Sequence, residues 1–206
     1  TVERAERKVK VIAGTGSNDT RATITLTRTA KELGADAVLL VAPYYNKPTQ
    51  NGFFEHFRVI AEAVDIPQII YNVPGRTGSN ITAETQLRIA ESNTNIIATK
   101  EASANLEQMM EIISNAPAHF SVLAGDDSLA LPVIASGGTG VIAVISNYAP
   151  KQFGELVRSA LRGDFAEARR MQFELLPMMK LNFIESNPIP VKYILSQMGM
   201  IGEQYR

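Results

Sequence analysis

The sequence contains no cysteine and only two histidines, His56 and His119. Without cysteine the chain can form neither a disulfide nor a thiolate metal site, and two histidines are too few for a His-rich metal centre. Charge of one sign is lacking as well: 20 Lys plus Arg stand against 21 Asp plus Glu, a formal net charge of −1. A near-neutral chain has no basic field to draw it to nucleic acid or to an anionic membrane. No apolar run approaches the roughly 18 residues that a membrane-spanning helix needs, and no leader-like pattern is read at the start. These absences fit a cytoplasmic enzyme. The 206 residues, 45% hydrophobic and 20% charged, suit one domain, or one domain with a small appendage, around a real core. The opening TVERAERK reads as the tail of a helix, so further sequence upstream is expected.

What is present alternates. Short apolar runs occur at Val9–Ala13, Ala37–Ala42, Gln68–Val73, Asn95–Thr99, Ser121–Ala124 and Gly140–Ile145. They are rich in β-branched residues and show little polar alternation, the pattern of strands buried on both faces. Between them lie amphipathic segments. Phe53, Phe54, Phe57, Ile60, Ala61 and Val64 fall at helical spacing, as do Leu106, Met109, Met110 and Ile113, and again Phe153, Leu156, Val157, Ala160 and Leu161. These stripes read as core packing. Asp164 followed by Glu167 resembles a capping box. Repeated strand–helix units mean a parallel sheet, either doubly wound or a (β/α) barrel. Gly14-Thr15-Gly16-Ser17-Asn18 lacks the third glycine of a dinucleotide fingerprint, and Ser136–Gly140 reads as a helix-to-strand turn. Helices over Lys151–Arg162, Phe165–Asn182 and Val191–Met198 follow the last strand. The division predicted is a partial barrel over 1–163 and a helical region over 164–206.

In a parallel β/α barrel the reacting groups sit where strands end. Reading those positions collects Tyr44, Tyr45, Tyr71, Arg76, Lys100 and Asp126-Asp127. Lys100 is unusual among the eight lysines because Ile96-Ile97-Ala98-Thr99 delivers it to a strand end. A lysine so placed can be desolvated and nucleophilic, or it can be a structural partner of Glu101. Tyr71 is a candidate proton shuttle or a core tyrosine. Arg76, in a Pro-Gly-bounded loop, suits a substrate carboxylate or a surface ion pair. Of Tyr44 and Tyr45, at least one ring can face solvent or a partner subunit, or both can pack locally. Asp126-Asp127 is best read as a helix N-cap.

YNVPGRTG, ATKEASANL, APYYNKPTQNGFFEHF, IAGTGSN, LAGDD and NPIPVK, in order, resemble the dihydrodipicolinate synthase family of the pyruvate-dependent class I aldolase superfamily. The resemblance spans essentially the whole chain. It implies a (β/α)8 barrel, six of whose strands lie in this chain, with a helical C-terminal appendage. It implies a lyase of lysine and diaminopimelate biosynthesis that condenses pyruvate with L-aspartate 4-semialdehyde through a lysine Schiff base, needing no metal or organic cofactor. By the same resemblance Lys100 binds pyruvate covalently, Tyr71 relays protons, and Tyr45 crosses a dimer interface into the neighbouring site. Arg76 orients the aldehyde's carboxylate, and Ile142 lies with its backbone against pyruvate. Tyr44 and Asn18 line a cleft for allosteric L-lysine, in a homodimer or homotetramer. The alternatives are a sialate or keto-sugar-acid lyase of the same superfamily, and a non-catalytic truncated homologue.

One departure accompanies the match. The family's barrel opens with two further strands, the second carrying a GTTGE-type loop, and ends in a further C-terminal stretch. Neither is found here, and six strands cannot close an eight-stranded barrel. The expectation is that this sequence is part of a longer protein.

Overall fold

The computed structural model describes residues 1–205, and position 206 of the expected 164–206 region lies outside the described residues. Along the chain run α1 (Val2–Ala5), β1 (Ile12–Gly14), α2 (Thr20–Glu32), β2 (Ala37–Val41), α3 (Gln50–Ala63), β3 (Gln68–Asn72), α4 (Pro74–Thr77), α5 (Ala83–Ser92), β4 (Ile96–Glu101), α6 (Leu106–Asn115), β5 (Ser121–Ala124), α7 (Ala130–Ala135), β6 (Gly140–Val141), α8 (Pro150–Leu161), α9 (Phe165–Leu181) and α10 (Ile189–Gln197). The strands lie in one sheet in the order β1-β2-β3-β4-β5-β6. A doubly wound sheet reverses its strand order at a switch point. Sequential order with a helix after every strand is instead the succession of a (β/α) barrel, of which this chain carries six strands. By its packing the chain divides into two compact units, Thr1–Leu123 and Ala124–Arg206.

In the first unit, β1 to β4 pair in parallel. α2, α3, α5 and α6 start at side-chain caps that satisfy orphan N–H groups, whereas α4 opens on Pro74 without one. Asp19 accepts from Ala22 N at 2.7 Å, Thr49 from Gly52 N at 3.1 Å, Thr82 from Thr85 N at 3.3 Å and Asn105 from Gln108 N at 3.2 Å. The core is the expected one along α3, where Phe53, Phe57 and Ile60 are fully buried, joined by Leu40, Ile70, Ile89, Ile96 and Ile112. Gly16 is dictated by backbone proximity: a Cβ there would lie 2.2 Å from Val41 N. His56 on α3 shares a 2.8 Å hydrogen bond with Thr20 Oγ1. Burial holds its pKa down at about 4 against a weaker opposing pull from Asp19.

Two expectations fail here. The first run is not a strand over Val9–Ala13 buried on both faces: β1 starts at Ile12, which is 43% exposed. Asp36 takes the Val11 N–H at 2.9 Å, so a side chain occupies the backbone before the ladder begins. On α6 the buried residues are Gln108, Met109 and Ile112, whereas Met110 is 42% exposed. The face is turned from the expected stripe because Gln108 has buried partners of its own.

In the second unit, α8 packs on Leu175 and Met179 of α9 through Phe153 and Leu156, with Ile145 and Val191 in the same cluster. Leu161, expected in the core stripe, is 51% exposed. Asp164 Oδ1 accepts from Glu167 N at 3.2 Å, the first half of the expected capping box, but the return bond is not made: Asp164 N donates to Ser159 O at 2.9 Å and the Glu167 carboxylate pairs with Arg170. The last apolar run is shorter than expected, since β6 ends at Val141. Asp127, 2% exposed, accepts from Val144 N at 2.7 Å and Ile145 N at 2.9 Å and so draws the chain out of the ladder. Asp126 holds the expected N-cap position, ahead of the 3₁₀ turn Asp127–Leu129, but makes no side-chain cap bond to it.

Candidate active site

The first unit places Tyr71 and Lys100 together. β3 and β4 run parallel with Tyr71 opposite Lys100 and Asn72 opposite Glu101. Residues in register on adjacent strands share a face, and successive residues alternate faces. Tyr71 and Lys100 therefore meet on one side, both half-buried, with Lys100 Nζ 3.9 Å from the Tyr71 ring centroid. A phenol ring beneath an amine offers that nitrogen an electron-rich face, and its hydroxyl is of a kind that can carry protons.

Glu101 is not the ion-pair partner that one reading of Lys100 supposed. It points to the other face and is fully buried. Its Oε2 accepts from Gln86 Nε2 at 2.7 Å, Asn72 Nδ2 at 3.0 Å and Gln108 Nε2 at 3.1 Å. Its Oε1 accepts from Ser103 N at 2.9 Å. Reading the strand ends missed this amide-lined carboxylate. The signal available was the repeated offset, since Asn72 follows Tyr71 as Glu101 follows Lys100.

The other candidate residues of the first unit lie in loops. Arg76 is exposed on α4, which opens on Pro74 and closes at Gly78 in the left-handed conformation with φ 75°. The ion-pair reading of Arg76 finds no carboxylate partner among the described residues. Tyr44 and Asn18 are brought together: Asn18 Nδ2 donates to Tyr44 O at 3.2 Å, and Asn46 Nδ2 donates back to Asn18 O at 3.0 Å. Between them Tyr45 takes φ 72°, costly for a residue with a Cβ, and its side chain stands out at 89% exposure. Local packing of both rings is thus not what this loop does. In the second unit, Ile142 follows β6 and donates its N–H to Ala124 O at 2.9 Å. No group of three or more His, Asp or Glu side chains is arranged to hold a metal ion among the described residues. No helix among them is long and apolar enough to cross a membrane.

Comparison with known proteins gives one answer. The family model described as Dihydrodipicolinate synthetase family matches residues 1–206. A 4-hydroxy-tetrahydrodipicolinate synthase of Prosthecochloris aestuarii is 56% identical over 99% of this chain and 69% of its own length. The crystal structure of dihydrodipicolinate synthase from Aquifex aeolicus superposes with a TM-score of 0.98 at 49% identity, over 100% of this chain and 70% of that one. The Acinetobacter baumannii enzyme, described as chloride inhibited and solved in complex with pyruvate, superposes with a TM-score of 0.97 at 42% identity, again over 100% of this chain and 70% of that one.

Proposed function

The chain belongs to the dihydrodipicolinate synthetase family, and from that premise we propose the reaction its residues perform. It is a lyase of lysine and diaminopimelate biosynthesis that condenses pyruvate with L-aspartate 4-semialdehyde to give 4-hydroxy-tetrahydrodipicolinate. The observation that carries this reading is the Tyr71–Lys100 pair, in register across β3 and β4 with the amine 3.9 Å from the ring centroid.

Lys100 Nζ adds to the C2 carbonyl of pyruvate, and the carbinolamine loses water to leave an imine. Loss of a methyl proton gives an enamine, whose carbon attacks the semialdehyde. The semialdehyde's own amine then closes onto C2 and releases Lys100. Tyr71 carries protons at the nitrogen. Tyr45, held outward by its loop, is read as reaching the neighbouring subunit's site, in a homodimer or homotetramer. The exposed Arg76 is read as receiving the semialdehyde's carboxylate. Ile142 keeps its proposed backbone contact to pyruvate, and the Asn18–Tyr44 cleft its proposed L-lysine. The reaction calls for no metal or organic cofactor. Catalysis is assigned to residues 1–163, with 164–206 as the helical appendage, in a cytoplasmic protein.

A two-substrate assay tests the assignment. Pyruvate with L-aspartate 4-semialdehyde is expected to be consumed to product, whereas pyruvate with an amino-sugar aldehyde is not. Turnover only with the sugar would replace this reading by that of a sugar-acid lyase.

A further inference from the structure

β3 and β4 share a second contact, on the face opposite the reactive pair. Their ladder is irregular at its start: Gln68 pairs with Ile96, but Ile69 pairs with Ala98. One residue of β4 is therefore bulged out of the ladder. Beyond such a bulge, a one-residue offset would send Lys100 to the face now held by Glu101. Backbone pairing alone does not choose between the two registers. The Glu101 carboxylate is placed to do so, with both its oxygens 3.0–3.1 Å from Asn72 Nδ2. Asn72 is fixed in turn, its Oδ1 accepting from Ile81 N at 3.1 Å and its carbonyl from Ala102 N at 2.8 Å.

Burying a carboxylate is costly, and a well-packed apolar cluster in place of Glu101 and its amide partners together could be of comparable stability. What the hydrogen bonds add is direction. We propose that Glu101 is a positioning residue: by clasping Asn72 it fixes the β3–β4 register one step past Tyr71 and Lys100 and so sets the amine over the phenol ring. The inference rests on the reading of Lys100 as the Schiff-base lysine.

Trapping of pyruvate on Lys100 by borohydride, followed over pH, separates positioning from packing. Asn72→Ser and Gln86→Met each remove one amide donor from Glu101, but only the first opens the cross-strand clasp. Asn72→Ser is expected to slow adduct formation roughly 10- to 100-fold, the scale of an ångström-sized misplacement. It should also move the midpoint of the pH profile, while Gln86→Met shows a markedly smaller loss and no shift. Glu101→Gln sets an amide against the amide of Asn72 and gives the same test in a second variant. Equal slowing in Asn72→Ser and Gln86→Met overturns the inference, as does an unchanged rate and pH midpoint in Asn72→Ser. If the unsubstituted protein forms no adduct on Lys100, the Schiff-base reading itself falls and the inference with it. An adduct there, with no difference in the Asn72 and Glu101 variants, removes the inference alone.

Discussion

Glu101 and Asp127 are both buried carboxylates near strand ends, one in each compact unit, and they are held in different ways. Glu101 is gripped mainly by side-chain amides, those of Asn72, Gln86 and Gln108. Asp127 is gripped mainly by backbone, the N–H groups of Val144 and Ile145, with Asn182 Nδ2 adding a third contact at 3.0 Å. Asn182 Oδ1 then accepts from the Tyr148 hydroxyl at 3.0 Å, and burial raises that phenol's pKa. The difference separates two uses of a buried acid. A carboxylate bound by side chains orients the strand beside it. A carboxylate bound by backbone shapes a loop, here the segment after β6, and its loss strands N–H groups that have nowhere to turn.

The sharpest contrast should come from Tyr71→Phe in the first unit. Losing only the hydroxyl, it is expected to cut turnover about 10²–10⁴-fold, the usual share of a general acid–base group. Its unfolding free energy should stay within about 1 kcal/mol of the unsubstituted protein, the size of one neutral hydrogen bond. Steady-state kinetics with the two substrates, beside urea unfolding, would show both; an unimpaired rate would move the proton relay elsewhere.

Asp127→Ala should behave in the opposite sense. Three donors lose their acceptor, the part-buried Val144 N–H and the buried Ile145 N–H and Asn182 amide, at about 1–3 kcal/mol for each buried one. Urea denaturation is the measurement, and a loss below about 1 kcal/mol would mean that water or a neighbour takes over the role.

His56 adds a third case, a buried group that titrates. Its folded pKa, about 4, lies below its ordinary 6.5, because burial disfavours the charged ring. The unfolded chain therefore binds a proton that the folded chain refuses between those values. The stability contribution is fully present above pH 6.5 and is lost as pH falls toward 4. The whole window is worth on the order of 3 kcal/mol. His56→Gln should flatten that part of the stability–pH curve, and an unchanged slope would place the acid sensitivity in other groups.

The barrel succession was legible because its strands are buried and its helices amphipathic, and β2 to β5 lie close to where the apolar runs put them. The failures share a cause. β1 and β6 are short because Asp36 and Asp127 bond backbone N–H groups, and no periodicity reports a side chain competing with the ladder. The Leu106–Ile113 stripe was set out of phase because Gln108, polar in sequence, is buried by the Glu101 carboxylate. Lys100 and Tyr71 were singled out at strand ends with a structural alternative open for each, and the roles proposed for them come from the family resemblance. That they face one another depends on register, which sits in the β4 bulge between Ile96 and Ala98 and in the clasp of Asn72, Gln86 and Gln108 on Glu101. Those contacts join β3, β4, α5 and α6, and only the fold brings them together.

The central claim is that Lys100 is the amine that meets the keto acid, and reductive trapping addresses it most directly. The protein is incubated with pyruvate, reduced with borohydride, digested and mapped by mass spectrometry. The account predicts one stable adduct, on the peptide containing Lys100, lost in Lys100→Ala and retained in Tyr45→Phe. An adduct on any other lysine, or none in protein shown to turn over pyruvate, would contradict it.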